Sequence, residues 1–297
     1  MLSAGACPGS RAPEGVGNAL MLGAFERFTL SANAAWVIAG ILLVSGELLS
    51  RRGVGSRRLA GTGLFLRESG IVVALYGLWM FLGSRAGAAH GAYSRAQAVL
   101  DAERFLHLDM ERPLQQAILA HHGVVQFANV FYATVHFPAM IAFLIWAFVR
   151  HRDRYAGVRW RVVLVTLVSL SIQFMALAPP RLLAGSGLVD TPMRYGSSVY
   201  AEGLAQVTAM PSVHVGWAVL VAWEVIRISP SRYRWWIVAH PILTTWVVMV
   251  TGNHWFVDGV AGALIVVLTE AAFAIPARLL ARKRLEVPLA VREPELV

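Results

Sequence analysis

The sequence predicts an all-α integral membrane protein with about seven transmembrane helices. Three observations carry that prediction. Of 297 residues, 57 % are hydrophobic and 14 % charged, against about 25 % charged in a soluble domain. Apolar runs recur along the chain, and arginines gather in short clusters between alternate runs. All but one of the 26 basic residues are arginine, and the formal charge of +9 sits where topology determinants sit. No nucleic-acid partner is therefore expected. The single cysteine, Cys7, excludes an internal disulfide and a C-x-x-C metal or redox site.

A helix needs roughly 20 mainly apolar residues to cross a hydrocarbon layer of about 30 Å. Runs that approach this length occupy 28–50, 68–84, 125–149, 161–178, 212–228, 235–252 and 255–279. Residues 1–27 mix Gly, Pro and charges without the pattern of a signal peptide, and read as a loose or surface-lying tail. Arg51, Arg52, Arg57, Arg58 and Arg67 fall between the first two runs, and Arg150, Arg152, Arg154, Arg159 and Arg161 between the third and fourth. Arg227, Arg232 and Arg234 fall between the fifth and sixth, and Arg278, Arg282, Lys283 and Arg284 follow the seventh. With seven spans all four clusters share one face, which the positive-inside rule makes cytoplasmic.

The N-terminus, the segments 85–124 and 179–211, and the turn 252–254 then lie outside. In 85–124 the acids Asp101, Glu103, Asp109 and Glu111 balance Arg85, Arg95, Arg104 and Arg112, while Leu100, Phe105, Leu106, Leu114 and Ile118 supply an apolar side. This reads as one or two amphipathic helices at the outer interface. The chain divides into a tail (1–27), N-terminal transmembrane helices (28–84), an interfacial segment (85–124), a membrane core (125–280) and a cytoplasmic C-terminal tail (281–297).

Three segments place polar groups at outer ends of apolar helices, where an ionisable side chain is costly and usually functional. They are Ala178-Pro179-Pro180-Arg181, Met210-Pro211-Ser212-Val213-His214 and Thr251 to Asp258. His254 and Asp258 are one helical turn apart, so the carboxylate is expected to hold one imidazole nitrogen and free the other as nucleophile or base. His214 returns to the same level after one span down and one up. Ser212 is a candidate N-cap, and the amides after it, near Val213, form a candidate anion site. Arg181, stiffened by two prolines, offers a guanidinium fork for phosphate oxygens. Together these groups point to phosphoryl transfer.

The three segments resemble the signatures of the type 2 phosphatidic acid phosphatase superfamily, K-x6-R-P, P-S-G-H and S-R-x5-H-x3-D. Pro211-Ser212-Val213-His214 matches the second, and His254-x3-Asp258 closes the third. Val247 and Val248 stand where the family has Ser and Arg, and Phe174 stands at the Lys position. A-P-P-R, M-P-S-x-H-x-x-W-A and N-H-x-x-x-D, with Tyr132 to Pro138, look more like the branch containing inositol phosphorylceramide synthase and its bacterial relatives.

The resemblance implies a six-helix phosphatase-like core in 125–280 preceded by an added span. It implies that His254 attacks phosphorus to form a phosphohistidine, that Asp258 orients it and that His214 protonates the departing oxygen. Arg181, Ser212 and the amides near Val213 would hold the phosphoryl oxygens, with Arg194 as the nearest spare cation. No metal or cofactor is expected. The expected partners are a lipid phosphoester, an alcohol or water acceptor and membrane lipids, at a site facing outward from a plasma membrane. The missing Lys and Arg favour a singly charged phosphodiester, and so a phosphotransferase, for which the resemblance suggests inositol phosphate as the head group. A lipid phosphate or polyprenyl diphosphate phosphatase is the alternative. A lipid-binding or transport protein that has lost catalysis is a third, which the intact His214, His254 and Asp258 disfavour.

Other polar residues have plainer readings. His240 is structural. His90, His107, His121 and His122 are surface residues of the interfacial segment, since no H-E-x-x-H spacing accompanies them. His136, inside an apolar run, either lines the lipid cavity or pins two helices. Glu224 and Glu270 are expected to pair between helices or face a wet crevice. Trp160, Trp235 and Trp236 beside arginine clusters belong to an interfacial belt.

Overall fold

A computed structural model describes residues 31–53, 56–85, 91–195 and 207–286; the expected tail at 1–27 lies outside them. The described residues are helical, with a lone parallel bridge between Leu177 and Thr208. In chain order the helices are α1 (Ala32–Arg52), α2 (Arg57–Arg85), α3 (Ala92–Phe105), α4 (Glu111–Ile118), α5 (His122–Thr134), α6 (His136–Arg150) and α7 (Arg152–Gln173). They continue as α8 (Thr191–Arg194), α9 (Val213–Ile228), α10 (Ala239–Val250) and α11 (Phe256–Glu286). A 3-10 turn covers Pro180–Leu182 and a longer 3-10 helix covers Arg232–Val238.

Every apolar run lies on a helix, but the limits moved. Among the described residues four helices are long and apolar enough to cross a membrane, or five if the bent pair α5 and α6 counts as one. The chain is a multi-pass membrane protein. The helix of the second run starts at Arg57 rather than at 68, with Arg58–Phe81 as its candidate span, because a basic residue near the end of a membrane helix need not end it. The third run is broken, its halves bent by 51°. Pro138 has no N–H for the Thr134 carbonyl one turn earlier, which accounts for the bend. The fourth helix starts at Arg152 and stops at Gln173, since residues 176–178 leave it for extended pairing. There Leu177 N–H donates to Val207 O at 2.7 Å and Ala209 N–H to Leu177 O at 3.0 Å. The fifth and sixth runs yield helices of 16 and 12 residues, the latter with Pro241 in its first turn, where a missing N–H costs nothing.

Large apolar side chains stay exposed in stripes: Val37, Ile41, Val44 and Leu48 on α1, Ile141, Ile145 and Val149 on α6, and Val260, Leu264 and Val267 on α11. On membrane helices such stripes face lipid tails, so tight packing between helices depends on small residues. In the α1–α2 hairpin a methyl on Gly46 would stand 2.6 Å from the Arg67 nitrogen. In the core, one on Gly262 of α11 would stand 2.4 Å from the Ser212 carbonyl and 3.1 Å from the Gly216 nitrogen of α9. Around that crossing Met140, Phe143, Val158, Val165, Leu220 and Val266 form the largest buried apolar cluster.

The hairpin joins the core through Arg159 and Glu68 and through Phe65 edge-on to Phe148 at 5.8 Å. Glu224 and Glu270 are paired between helices: Arg161 lies 2.9 Å from Glu270 and 3.4 Å from Glu224, which Arg227 also binds. Trp160, Trp235 and Trp236 are exposed beside arginines, as an interfacial belt requires.

Gly262→Ala is expected to force α9 and α11 apart and cost about 1 to 3 kcal/mol. Gly61→Ala, with nothing within 4 Å, is expected to be neutral or slightly stabilising. Thermal unfolding of the two variants in one detergent checks the contrast.

Candidate functional site

Two chain reversals and one extended pairing build the site. The Leu177–Thr208 bridge sets the segment carrying Arg181 beside the one carrying Ser212. The turn after α10 then docks on both. Its Gly252 has φ +67°, and a methyl there would stand 2.9 Å from Arg181 Cβ. Arg181 N–H donates to Gly252 O at 3.0 Å. Trp255, fully buried, donates through Nε1 to Ala178 O at 3.0 Å. Ser212 N–H donates to the Asp258 carbonyl at 2.9 Å, which ties the start of α9 to the first turn of α11.

His214 Nδ1 lies 3.3 Å from His254 Nε2. The other nitrogen of His254, Nδ1, lies 2.7 Å from the backbone oxygen of Ala209. A carbonyl only accepts, so Nδ1 carries the proton and Nε2 presents its lone pair toward His214. The expected partner of Nδ1 was Asp258, whose Oδ2 is 3.6 Å away. Asp258 Oδ2 instead accepts the Trp255 N–H at 2.9 Å. The carboxylate flanks the imidazole and the carbonyl fixes its tautomer, because the first turn of the helix competes for the same oxygen.

Arg181 is buried, with its side chain 8 % exposed. Its Nε donates to Asn253 Oδ1 at 2.9 Å and an Nη to Asp190 Oδ2 at 2.8 Å. Ser212 is the N-cap of α9 as expected, its Oγ accepting from Val215 N–H at 3.3 Å. It is fully buried, so its hydroxyl serves the helix end. Val213, His214, Arg181, His254 and Asn253 line an open cleft of about 820 Å3, mouth included. Arg194 does not line that cleft; it is exposed on α8 with its guanidinium over Tyr195. It ends a four-residue helix capped by Asp190.

Some neighbours of the two histidines fall within the resembling stretches, Tyr132, His136 and Phe137 in Tyr132 to Pro138 and Trp217 in M-P-S-x-H-x-x-W-A, while Trp79 and Asp190 fall outside them. Tyr132 lies over His214 with ring centroids 4.6 Å apart, and His136 meets it edge-on at 4.4 Å. His136 is buried, lines the cleft and has Nδ1 3.3 Å from the Tyr132 carbonyl. Trp79 of the N-terminal hairpin lines the cleft beside Phe137 and Trp217, 5.5 Å from Phe137. Asp190 was missed; the signal that could have found it is an acidic N-cap position before Thr191-Pro192.

Val247 and Val248, at the family's Ser and Arg positions, are buried in the core, Val247 with Ile118, Val125 and Ala128 and Val248 with Val215 and Met249. Among the described residues lining the cleft, Arg181 is the one Lys or Arg. His107, His121 and His122 are exposed as expected, and His90 lies outside the described residues. Among the described residues no three His, Cys, Asp or Glu side chains are grouped to hold a metal.

Residues 97–272 match the PAP2 superfamily. That is more than half of the chain, and the chain belongs to this family. It is also similar to the inositol phosphorylceramide synthase catalytic subunit aur1 of Schizosaccharomyces pombe, with 31 % identity over 86 residues. The similarity covers 28 % of this chain and 20 % of the relative, so the chain spans a fifth of that protein's length. No solved structure matches.

Gly252→Ala is expected to cost about 1 to 2 kcal/mol for a left-handed residue that bears a Cβ, and to push Arg181 off the turn. Thermal unfolding reports the first effect. A fall in binding of a phosphate-bearing ligand relative to wild type reports the second.

Proposed function

We propose that the protein is a membrane-embedded lipid phosphotransferase that works through a phosphohistidine. The observation that carries the reading is the 3.3 Å approach of His214 Nδ1 to His254 Nε2, with the far side of His254 held by a carbonyl. Membership of the PAP2 superfamily supports an activity on lipid phosphates.

A phosphoryl group entering between the two rings meets a lone pair on one side and a proton carrier on the other. His254 Nε2 attacks phosphorus and the bond to the lipid oxygen breaks. His214, as the imidazolium, gives that oxygen its proton, and Asp258 offsets the charge on His254. In the second half an alcohol attacks the phosphohistidine, His214 takes the alcohol's proton, and His254 leaves. Water in place of the alcohol turns the same cycle into a phosphatase. Arg181 and the Val213 amide hold the phosphoryl oxygens, with Ser212 fixing the helix end beneath them.

The substrate reading follows from charge. A phosphomonoester carries up to two negative charges near neutral pH and a diester one. Arg181, already shared with Asp190, suits the diester. The name of the relative, inositol phosphorylceramide synthase, makes inositol phosphate the head group to test first. The motif-bearing helix ends, opposite the arginine clusters, support seven spans and a site opening to the extracytoplasmic face of the plasma membrane.

In nanodiscs, phosphatidylinositol with an added ceramide is expected to yield head-group transfer and a base-stable phosphohistidine. His254→Ala is expected to abolish both, and His214→Ala to slow turnover by about 10²- to 10⁴-fold. Efficient release of inorganic phosphate from phosphatidic acid, with no transfer to any alcohol, would replace this reading with the phosphatase one.

A further inference from the structure

Two acids of the interfacial segment are not where an interface would put them. Glu103 at the end of α3 and Glu111 at the start of α4 are 0 % and 2 % exposed. Their carboxylates reach across to the first turn of α11, 154 and 145 residues later in sequence. Val257 N–H donates to Glu103 Oε1 at 3.0 Å, and Phe256 N–H donates to Glu111 Oε1. With Trp255 N–H on Asp258 Oδ2, three successive amides of this helix start are held by three carboxylates. An exposed helix end is satisfied by water or by its own cap; here two of the holders come from elsewhere in the chain. The same turn carries Asp258, and His254 sits immediately before it.

We propose that Glu103 and Glu111 are positioning residues: through these two amides the outer helices hold Asp258 and His254 in register, and they make that register depend on pH. The proposal deepens the phosphohistidine reading and rests on it. It also explains why buried acids face a site meant for an anion. The amides of the α11 start are occupied by carboxylates, which leaves phosphate to Arg181 and the start of α9.

The pH dependence follows from the company these groups keep. Facing them are Asp109, Asp258 and, through Asp258, His254. Burial pushes Glu103 up to about 8 and Glu111 to about 7, and the neighbouring carboxylates push the same way against the amide hydrogen bonds. Glu103 Oε2 and Asp258 Oδ1 are buried without a hydrogen-bond partner, so added charge there has no compensation. A carboxyl raised in the folded state binds more protons folded than unfolded. Its contribution to stability is full below the ordinary carboxylate range and is lost as pH rises through about 7 to 8. Ionisation then sets like charges around one helix turn and loosens the outer helices from it.

The experiment compares wild type, Glu103→Gln, Glu111→Gln, Glu103→Ala, Glu111→Ala and His254→Ala, as full chains in nanodiscs with phosphatidylinositol. Readouts are kcat and KM from pH 5.5 to 9.5 and the thermal unfolding midpoint over the same range. Glutamine keeps the accepting oxygen and removes the ionisation, so the alkaline half-point of kcat and of the unfolding midpoint is expected to move up by about one pH unit or more. Alanine removes the acceptor, and kcat is expected to fall about 10- to 100-fold with KM changed less than threefold. Glutamine profiles that superimpose on wild type in both readouts overturn the proposal, whatever the alanine variants do. Turnover by His254→Ala would instead overturn the phosphohistidine reading, so the two failures are told apart.

Discussion

The close crossing of α9 and α11 is the constraint on which the rest depends. Gly216 and Gly262 let the two backbones approach until Ser212 N–H reaches the Asp258 carbonyl. Lipid tails are as apolar as leucine, so burial of apolar surface does little to press membrane helices together, and glycines that permit backbone approach must do it. His214 lies two residues before Gly216, and His254 lies just ahead of the helix that carries Gly262. The crossing therefore delivers two imidazoles to one point.

Around that point charge is distributed against expectation. The cleft has one guanidinium, shared with Asp190, among the described residues that line it, while Glu103, Glu111 and Asp258 crowd the start of α11. Acids buried near the proposed phosphate site look unfavourable until their partners are counted, since each accepts a backbone amide that would otherwise be unsatisfied. Helix start α11 is closed by the protein itself and helix start α9 faces the cleft. The division gives two helix ends, close in space, two different duties.

Much of this was legible beforehand. Hydrophobic runs are statements about solvent, and each of them lies on a helix. His214, His254, Asp258 and Arg181 were readable because an ionisable residue at the end of an apolar helix is costly, and Val213 because its amide follows a candidate N-cap; the structure brings them near one another. Ser212 was readable as a cap. The bend at Pro138 and the early start of α2 were misjudged, because a run of apolar residues does not say where the helix begins or kinks. Glu103 and Glu111 looked like ordinary charges of an amphipathic segment, since their sequence neighbours are polar and their partners lie about 150 residues away.

The amino-acid sequence alone determined the membrane class, the helices and the residue types able to carry phosphoryl chemistry. These follow from local quantities: transfer of side chains out of water, helical periodicity and the cost of an ionisable group in lipid. Only the tertiary structure decided that Ala209, through its carbonyl, sets the tautomer of His254, that Arg194 does not line the cleft, and that Trp79 and two buried glutamates belong to its surroundings. A backbone carbonyl has no letter in a sequence, and the depth at which a carboxylate is buried depends on which distant helix closes over it.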